Sequence, residues 1–181
     1  MRRAEILVVG GGHAGVEAAL AISRKKINVM LATMDEDSIG RMSCNPAIGG
    51  LAKGHLVREI DALGGIMGEA ADQTSIQFKT LNKSKGRAVW SPRAQVDKIK
   101  YSQYIQKAVK RNKYIDVVSE NVVDIIVDNG RVVGCVYETG EKVLLNALVI
   151  TAGTFLGGKI HIGKTSYSAC LLYTSDAADD S

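Results

Sequence analysis

The sequence predicts an α/β fold built on a parallel sheet, into which an antiparallel β-meander is inserted. Short, mainly aliphatic runs at Glu5–Gly10, Asn28–Thr33 and Ala147–Ile150 are typical of parallel strands buried on both faces. Segments with helical periodicity lie between these runs. Between residues 115 and 145 the apolar period falls from 3.6 to 2, which indicates strands with one exposed face. This order of elements is typical of a doubly wound sheet that carries an extra antiparallel layer.

The first 33 residues predict a strand, a glycine turn, a helix and a second strand. The strand at Glu5–Gly10 is broken by glycines. A helix follows over Val16–Ile22, where apolar residues recur at helical spacing, and the cations Arg24–Lys26 close it. The second strand is Asn28–Thr33. The unit is a strand–turn–helix–strand module with a short glycine-rich connection.

The next segment predicts a loop and a helix. Residues 34–50 are rich in Asp, Ser, Gly and Asn and favour a loop. A helix fits Leu51–Leu63 and ends at Gly64-Gly65. The residues predicted to form its apolar face are Leu56, Ile60 and Leu63.

A strand, a basic loop and a long helix are predicted next. Ser75–Leu81 alternates as a strand does, 82–92 is a basic loop, and Ala94–Asn112 fits a helix. The predicted buried stripe of that helix is Val96, Ile99, Ile105 and Val109. The strands predicted after it are Ile115–Val118, Val122–Val127, Val132–Glu138 and Lys142–Leu145, with hairpin turns at 128–130 and 139–140.

Composition limits the class of protein. The chain has 181 residues, 46% hydrophobic and 23% charged, which is the composition of a globular protein. No apolar run reaches the roughly 20 residues that span a bilayer, so no membrane association is expected. Three widely spaced cysteines, Cys44, Cys135 and Cys170, argue against a disulfide framework and for a reducing compartment, the cytoplasm. No Cys or His spacing suits zinc, and we predict no metal site.

The glycine turn predicts a dinucleotide site. It matches G-x-G-x-x-G, follows a predicted strand and opens a predicted helix. In this pattern the first glycine permits the turn, the second lets backbone approach a pyrophosphate, and the third lets helix and strand pack closely. The alternative is a purely structural turn. The candidate cofactor-binding residues are Gly10, Gly11, Gly12, His13, Ala14 and Gly15.

The residue at the end of the second strand argues against a generic NAD site. An acid usually holds a ribose hydroxyl there, but this chain has Thr33, with Asp35 and Asp37 a little beyond. A meander followed by Ala147–Gly153 is instead typical of glutathione-reductase-like flavoprotein domains. The fold analogy therefore favours FAD, in a Rossmann-like FAD-binding domain.

Several short segments in a fixed order make the chain closely resemble the MnmG (GidA) family. Beside the glycine turn, the resemblance rests on Ser43–Gly50, 54–57, 61–65, 76–78, 84–86, 93–95 and 153–156, and it covers about residues 4–168. Members of this family are the flavin subunits of an enzyme that modifies the wobble uridine of certain tRNAs. One departure is Arg87, where the family usually has Pro.

The resemblance implies a chemistry and a set of partners. FAD, reduced by NADH, takes a one-carbon unit from methylenetetrahydrofolate and passes it to C5 of uridine 34. A GTPase partner, MnmE, completes an aminomethyl or carboxymethylaminomethyl group. The implied assembly is a homodimer that joins MnmE in a heterotetramer. By position, Gly10 to Gly15 would hold the FAD pyrophosphate, Val122 would contact the flavin nucleotide, and Cys44 is the candidate catalytic residue.

Two features of the sequence allow more than one interpretation. Cys44 precedes a predicted helix, whose N-terminus favours a thiolate, but a small cysteine that merely packs the loop fits equally well. The segment 79–113 interleaves cations with aromatic residues, and its first part, Lys79–Arg93, could contact tRNA, folate or FAD phosphates, or be a solvated loop. For the cations of Lys107–Lys113, a solvated helix face is the better interpretation, and Cys135 is predicted to lie in the core.

The length predicts an N-terminal fragment. Family members have several hundred residues, so 1–169 is interpreted as an incomplete FAD-binding domain. Residues 170–181 read like a translated sequencing adapter and are predicted to be a non-native tail. Alone, the chain is expected to bind FAD weakly and not to modify tRNA. The competing functions are a small-molecule flavin oxidoreductase and an inactive nucleotide-binding fragment.

Overall fold

The computed structural model describes residues 2–42, 45–50, 52–153, 159–162 and 165–168. The chain divides into two units, Met1–Thr151 and Ala152–Ser181. Two parts of the predictions, Cys44 and the tail 170–181, lie outside the described residues.

The elements follow one another along the chain as a mixture of strands and short helices. The strands are β1 (Arg2–Val9), β2 (Val29–Thr33), β3 (Ala47–Gly49), β4 (Ser75–Leu81), β5 (Ser91–Val96), β6 (Ile115–Ser119), β7 (Val122–Asp128), β8 (Arg131–Tyr137), β9 (Lys142–Ile150), β10 (Lys159–Ile162) and β11 (Thr165–Ser168). The helices are α1 (His13–Arg24), α2 (Lys53–Ala62), α3 (Met67–Thr74) and α4 (Lys98–Lys110). In the second unit, β10 and β11 pair antiparallel.

A six-stranded sheet in the order β6-β2-β1-β9-β8-β7 forms the centre of the first unit. Strands β6, β2, β1 and β9 are parallel, while β9, β8 and β7 are antiparallel. The predicted fold class is confirmed: the fold is α/β with a parallel sheet and an inserted meander.

Two details of the sheet correct the sequence-based prediction. Ile115–Ser119 pairs parallel with β2 and extends the parallel sheet, so it is not a meander strand. The two strands predicted at Lys142–Leu145 and Ala147–Ile150 are one strand, β9, whose first residues pair with β8 while its whole length follows β1. Their division in the sequence reflects Asn146, a polar residue that the continuous strand accommodates.

The two faces of the sheet have separate cores. One face packs under α1 and α4, with Val8, Leu31 and Ile105 among its buried residues. The meander covers the other face, where the buried Tyr137 hydroxyl donates a hydrogen bond to the Met30 sulfur at 3.1 Å. Strand β2 is therefore buried along its whole length, which explains its continuous apolar sequence. Strands β6 and β9 keep exposed residues, and the predicted burial of Ala147–Ile150 on both faces is wrong at Ile150, which is exposed.

A small antiparallel sheet, in the order β3-β5-β4, packs against α2 and α3. The sequence predicts neither β3 nor α3. The helix α2 also buries a different face from the one predicted: Gly54 and Val57 face the sheet, whereas Leu56 and Leu63 are exposed. The glycine at position 54 lets the helix approach β5, since a Cβ there would lie 2.9 Å from the Pro92 carbonyl oxygen.

The helix α4 begins four residues later than predicted, because 94–96 belong to β5. Asp97 caps the helix, and its carboxylate accepts hydrogen bonds from the N–H groups of Ile99 and Lys100, both at 3.0 Å. Capping there places Tyr101, Ile105 and Val109 on the buried face. The predicted stripe is wrong at Ile99, which is exposed.

Candidate functional site

The glycine turn joins the end of β1 to the start of α1 at the centre of the parallel sheet. The N–H of Gly10, a residue with φ of +108°, donates to the carbonyl of Ala32 at 2.8 Å. The carbonyl of Gly11 accepts from the N–H of Gly40 at 2.9 Å. These bonds tie the turn to β2 and to the loop after it, so its position is set by the sheet.

Two of the glycines are enclosed by protein. A Cβ at Gly15 would overlap the Gly10 carbonyl oxygen and lie 2.7 Å from the Thr151 Oγ1. A Cβ at Gly10 would overlap the Thr151 carbonyl oxygen. The Thr151 hydroxyl also donates to the Val9 carbonyl at 2.7 Å, and so closes the turn from β9. Sequence reasoning assigned no role to this threonine, although it directly follows a predicted buried strand.

Gly12 differs from these two glycines because it faces open space. No described atom lies within 4 Å of a Cβ placed there. It is the N-cap of α1, a helix of 12 residues that has no side-chain cap from the described residues and no acidic residue in its first turn. A helix N-terminus of this kind presents free N–H groups and a partial positive charge, which suit an anion.

His13, the first residue of α1, packs against Tyr101. The ring centroids are 5.6 Å apart. Burial, aided by the nearby positive charge of Lys53, lowers the pKa of His13 from 6.5 to about 4, so the imidazole is neutral at neutral pH. Burial and the Glu17 carboxylate raise the pKa of the fully buried Tyr101 hydroxyl. Neither His13 Nε2 nor the Tyr101 hydroxyl has a hydrogen-bond partner among the described residues.

A cleft of about 400 Å³ opens where β2 and β6 end and the meander begins. Val122, the first residue of β7, is half-buried beside it and packs on the meander core. The cleft is lined by Met34, Ser119, Glu120, Asn121, Glu138 and Thr139. Sequence reasoning missed the two glutamates. Their signal was that Glu120 lies two residues before Val122 and Glu138 directly precedes the predicted hairpin turn at 139–140.

Of the two acids proposed after β2, Asp35 has its carboxylate engaged locally. The Asp35 carboxylate accepts a hydrogen bond from the Asp37 N–H at 2.9 Å and pairs with Arg41 at 3.5 Å. The Thr33 hydroxyl donates to the Asp35 carbonyl at 3.2 Å. The end of β2 is thus a closed turn. In the cleft, the Glu138 carboxylate accepts a hydrogen bond from the Asn121 amide at 3.3 Å, and the Glu120 carboxylate accepts one from the Thr139 hydroxyl at 3.5 Å.

The cysteines and their neighbours are only partly described. Cys44 lies outside the described residues, but Asn45 follows it in the sequence, and its side-chain oxygen accepts a hydrogen bond from Arg93 at 3.2 Å. Cys135 is fully buried, as predicted, and burial raises the pKa of its thiol. Ala14 is exposed at the first turn of α1.

A family model described as glucose inhibited division protein A matches residues 5–177 of the chain. The chain is 48% identical over 166 residues to a tRNA uridine 5-carboxymethylaminomethyl modification enzyme, MnmG, from Protochlamydia amoebophila; the match covers 92% of this chain and 27% of that protein. The chain therefore spans about a quarter of the length of this relative. No helix among the described residues combines the length and apolarity that a membrane span requires.

Solved structures give the same result for the fold. The chain is similar to Aquifex aeolicus GidA with a TM-score of 0.87 and 52% identity, over 92% of this chain and 28% of that one. It is also similar to PqsL, a probable FAD-dependent monooxygenase from Pseudomonas aeruginosa, with a TM-score of 0.57 and 12% identity, over 81% of this chain and 42% of that one. The latter likeness shows the shared fold alone.

Proposed function

Because the chain belongs to the glucose inhibited division protein A family, also called MnmG or GidA, we propose that it is the nucleotide-binding part of a flavin-dependent tRNA-modifying enzyme. The single observation that carries this proposal is the contrast within the glycine turn. Gly10 and Gly15 are enclosed by backbone, whereas Gly12 and the uncapped N-terminus of α1 face open space. That arrangement fits a pyrophosphate at the end of the helix.

The residues present fit FAD. Gly10 to Gly15 would hold the pyrophosphate through backbone N–H groups, and the neutral His13 adds no charge of its own. The cleft beside Val122 would receive the adenosine half, where Glu120 and Glu138 offer carboxylates to ribose hydroxyls. When bound, the flavin would supply the redox chemistry that carries a one-carbon unit to the uridine.

In the whole protein, Cys44 is the proposed nucleophile. Addition of its thiolate to C6 of uridine would make C5 nucleophilic, which uridine C5 is not by itself. Arg93 and Asn45, joined by a hydrogen bond, support the loop that follows Cys44 in sequence. The proposed co-substrates are NADH and methylenetetrahydrofolate. The proposed partners are tRNA, MnmE and a second copy of the protein, in the cytoplasm.

A chimera tests this proposal, because the chain spans about a quarter of its relatives. Residues 4–168 of this chain would replace the matching segment of the Protochlamydia amoebophila relative, in a bacterial strain that lacks its own MnmG. We expect the purified chimera to contain flavin and the strain to recover modified uridine 34, measured by mass spectrometry of tRNA nucleosides. A folded chimera with flavin but without modified uridine would contradict the proposal.

A matched pair of variants separates the proposed function from a small-molecule flavin oxidoreductase. In the chimera, Cys44→Ala should abolish uridine modification while flavin content and NADH oxidation by oxygen remain. Cys135→Ala, at a buried core thiol, should preserve modification. Full modification by the Cys44→Ala chimera would remove the assigned role of this cysteine and favour the packing interpretation.

A further inference from the structure

The hairpin formed by β4, β5 and their connection carries unbalanced positive charge. We call residues 79–93 the basic hairpin. This segment has five cations and no acid, and they are Lys79, Lys83, Lys85, Arg87 and Arg93. None of the five forms an ion pair with a described residue. Cations elsewhere do: Lys100 pairs with Asp97 at 3.8 Å and Lys110 with Glu36 at 4.0 Å.

Two of these cations face each other across the strands. Lys79 of β4 is the direct partner of Arg93 of β5 in the antiparallel register. Like charges placed directly opposite on neighbouring strands destabilise a sheet. An anion bound at this point would relieve the repulsion, so the register itself favours a negatively charged ligand here.

The connection between the strands holds an aromatic ring in a fixed orientation. The Trp90 indole N–H donates to the Lys85 carbonyl at 3.0 Å, and the Trp90 backbone N–H donates to the Arg87 carbonyl at 3.1 Å. The guanidinium carbon of Arg87 lies 5.7 Å from the centroid of the ring. Asn82 supports the same loop through a hydrogen bond from its amide to the Val89 carbonyl at 3.3 Å.

The ring remains accessible to a ligand. Trp90 is 38% exposed, and Phe78 on the adjacent strand is 63% exposed. Aromatic faces surrounded by cations suit unpaired nucleotides, whose bases stack while their phosphates are neutralised. A duplex offers the phosphates but keeps its base faces inside the stack.

We propose that the basic hairpin binds an unpaired stretch of RNA, with one base stacked on Trp90 and adjacent phosphates held by Lys79, Arg87 and Arg93. The identification of that RNA as the loop of a tRNA rests on the proposed function. The described side-chain hydrogen bonds of the hairpin involve no residue of the glycine turn, so RNA binding by the hairpin does not require flavin.

The chain contains a single tryptophan, so its fluorescence reports the proposed contact directly. The purified chain would be titrated with a short oligouridine, with a duplex RNA of equal phosphate number, and with inorganic polyphosphate. We expect saturable quenching of Trp90 by the oligouridine and little quenching by the other two. Equal quenching by all three would overturn the proposal, since the surface would then be a site for polyanions in general.

Variants identify the residues that bind RNA. The affinity of each variant for labelled oligouridine is measured by fluorescence anisotropy. Trp90→Ala should weaken binding about tenfold, and Trp90→Phe should retain most of the affinity because a stacking face remains. Arg87→Ala should weaken binding more than Lys113→Ala does. Lys113 is the matched control, since it is also a cation that lies on an aromatic ring, 5.1 Å from the centroid of Tyr114, but outside the hairpin. Equal losses for the two variants would contradict the proposal.

The test of the basic hairpin and the test of the proposed function can fail independently of each other. If the chimera modifies uridine 34 but Trp90→Ala leaves RNA affinity unchanged, the hairpin assignment is wrong and the proposed function stands. If the hairpin variants behave as expected but the chimera takes up no flavin, the proposed function is wrong and the RNA surface stands.

Discussion

The glycine turn and the basic hairpin both suit phosphate groups, but they do so by opposite means. The turn, Gly10–Gly15, contains no Lys or Arg and offers backbone N–H groups whose positions the sheet determines. The hairpin offers five cationic side chains, two on its strands and three on the connection between them. A site made of backbone groups depends on the fold and accepts ligands of one shape. A site made of charged side chains can be removed by substitution without unfolding the protein, and its affinity for a ligand depends on the salt concentration.

The largest expected effect is that of Gly15→Ala. The added methyl group would overlap the Gly10 carbonyl oxygen, so helix or strand must move. We expect a loss of about 3 kcal/mol in the free energy of unfolding together with loss of flavin binding. Urea unfolding followed by Trp90 fluorescence measures the first quantity. An unchanged midpoint would show that the turn is less constrained than its contacts indicate.

The next effect belongs to Gly12→Ala, a matched substitution in the same turn. No described atom lies near the new methyl group, and φ at this position is −70°, which alanine adopts readily. Stability should change by less than about 0.5 kcal/mol. Flavin affinity, measured by fluorescence titration, should fall about thirtyfold, because the methyl group stands before the N–H groups of α1. An unchanged flavin affinity would place the pyrophosphate elsewhere.

The salt concentration should affect ligand binding at the two regions differently. Raising the salt concentration fourfold should weaken oligouridine binding by about tenfold, as expected when two or three phosphates are neutralised. Flavin binding at the turn should change by about twofold or less under the same conditions. A steep salt dependence of flavin binding would mean that side-chain cations also hold the cofactor.

Much of the turn could be predicted from the sequence, because its determinants are local. One strand, three glycines and one helix follow each other without interruption, and the spacing of the glycines is characteristic. The residues that complete it are distant. Thr151 reaches the turn from β9, and Tyr101 reaches it from α4. No period or motif in the sequence marks these contacts.

The helix α3 illustrates the same limit. It has eight residues and no cap in its own sequence. Its first N–H groups, those of Ile66 and Met67, instead donate to the Glu17 carboxylate of α1 at 2.9 and 2.8 Å. A helix stabilised by a residue 49 positions away gives no local start signal.

Cys44 lies outside the described residues, so its role as the catalytic residue stays a prediction.

A smaller effect is expected in the pH dependence of stability, because the His13 side chain is uncharged in the folded chain at neutral pH. The pKa of His13 is about 4 in the folded chain and near 6.5 when unfolded, so the unfolded chain binds more protons between these values. Stability should therefore fall as the pH is lowered from 7 towards 4, with this residue contributing about 1–2 kcal/mol by pH 5. His13→Gln should remove that share of the pH dependence, which urea unfolding at several pH values measures. Parallel curves for both proteins would contradict it.

The smallest effect is expected for Tyr101→Phe. The hydroxyl is buried and has no partner among the described residues, so its removal leaves no new unsatisfied group. Stability should change by less than about 0.5 kcal/mol. Tyr104→Phe is the comparison, since the Tyr104 hydroxyl donates to the Glu69 carboxylate at 2.5 Å, but near the surface. A clear loss for Tyr101→Phe alone would show that a bound group under the turn uses this hydroxyl.

The path of β9 has a consequence for synthesis on the ribosome. This strand lies beside β1 in the middle of the sheet, and the Thr151 hydroxyl bonds to Val9 across 142 residues. Until β9 has left the exit tunnel, β1 has only β2 beside it, and the turn cannot close. The nascent chain must therefore hold its earliest strand unfinished until β9 has been made and released, a period in which chaperones have an opportunity to act.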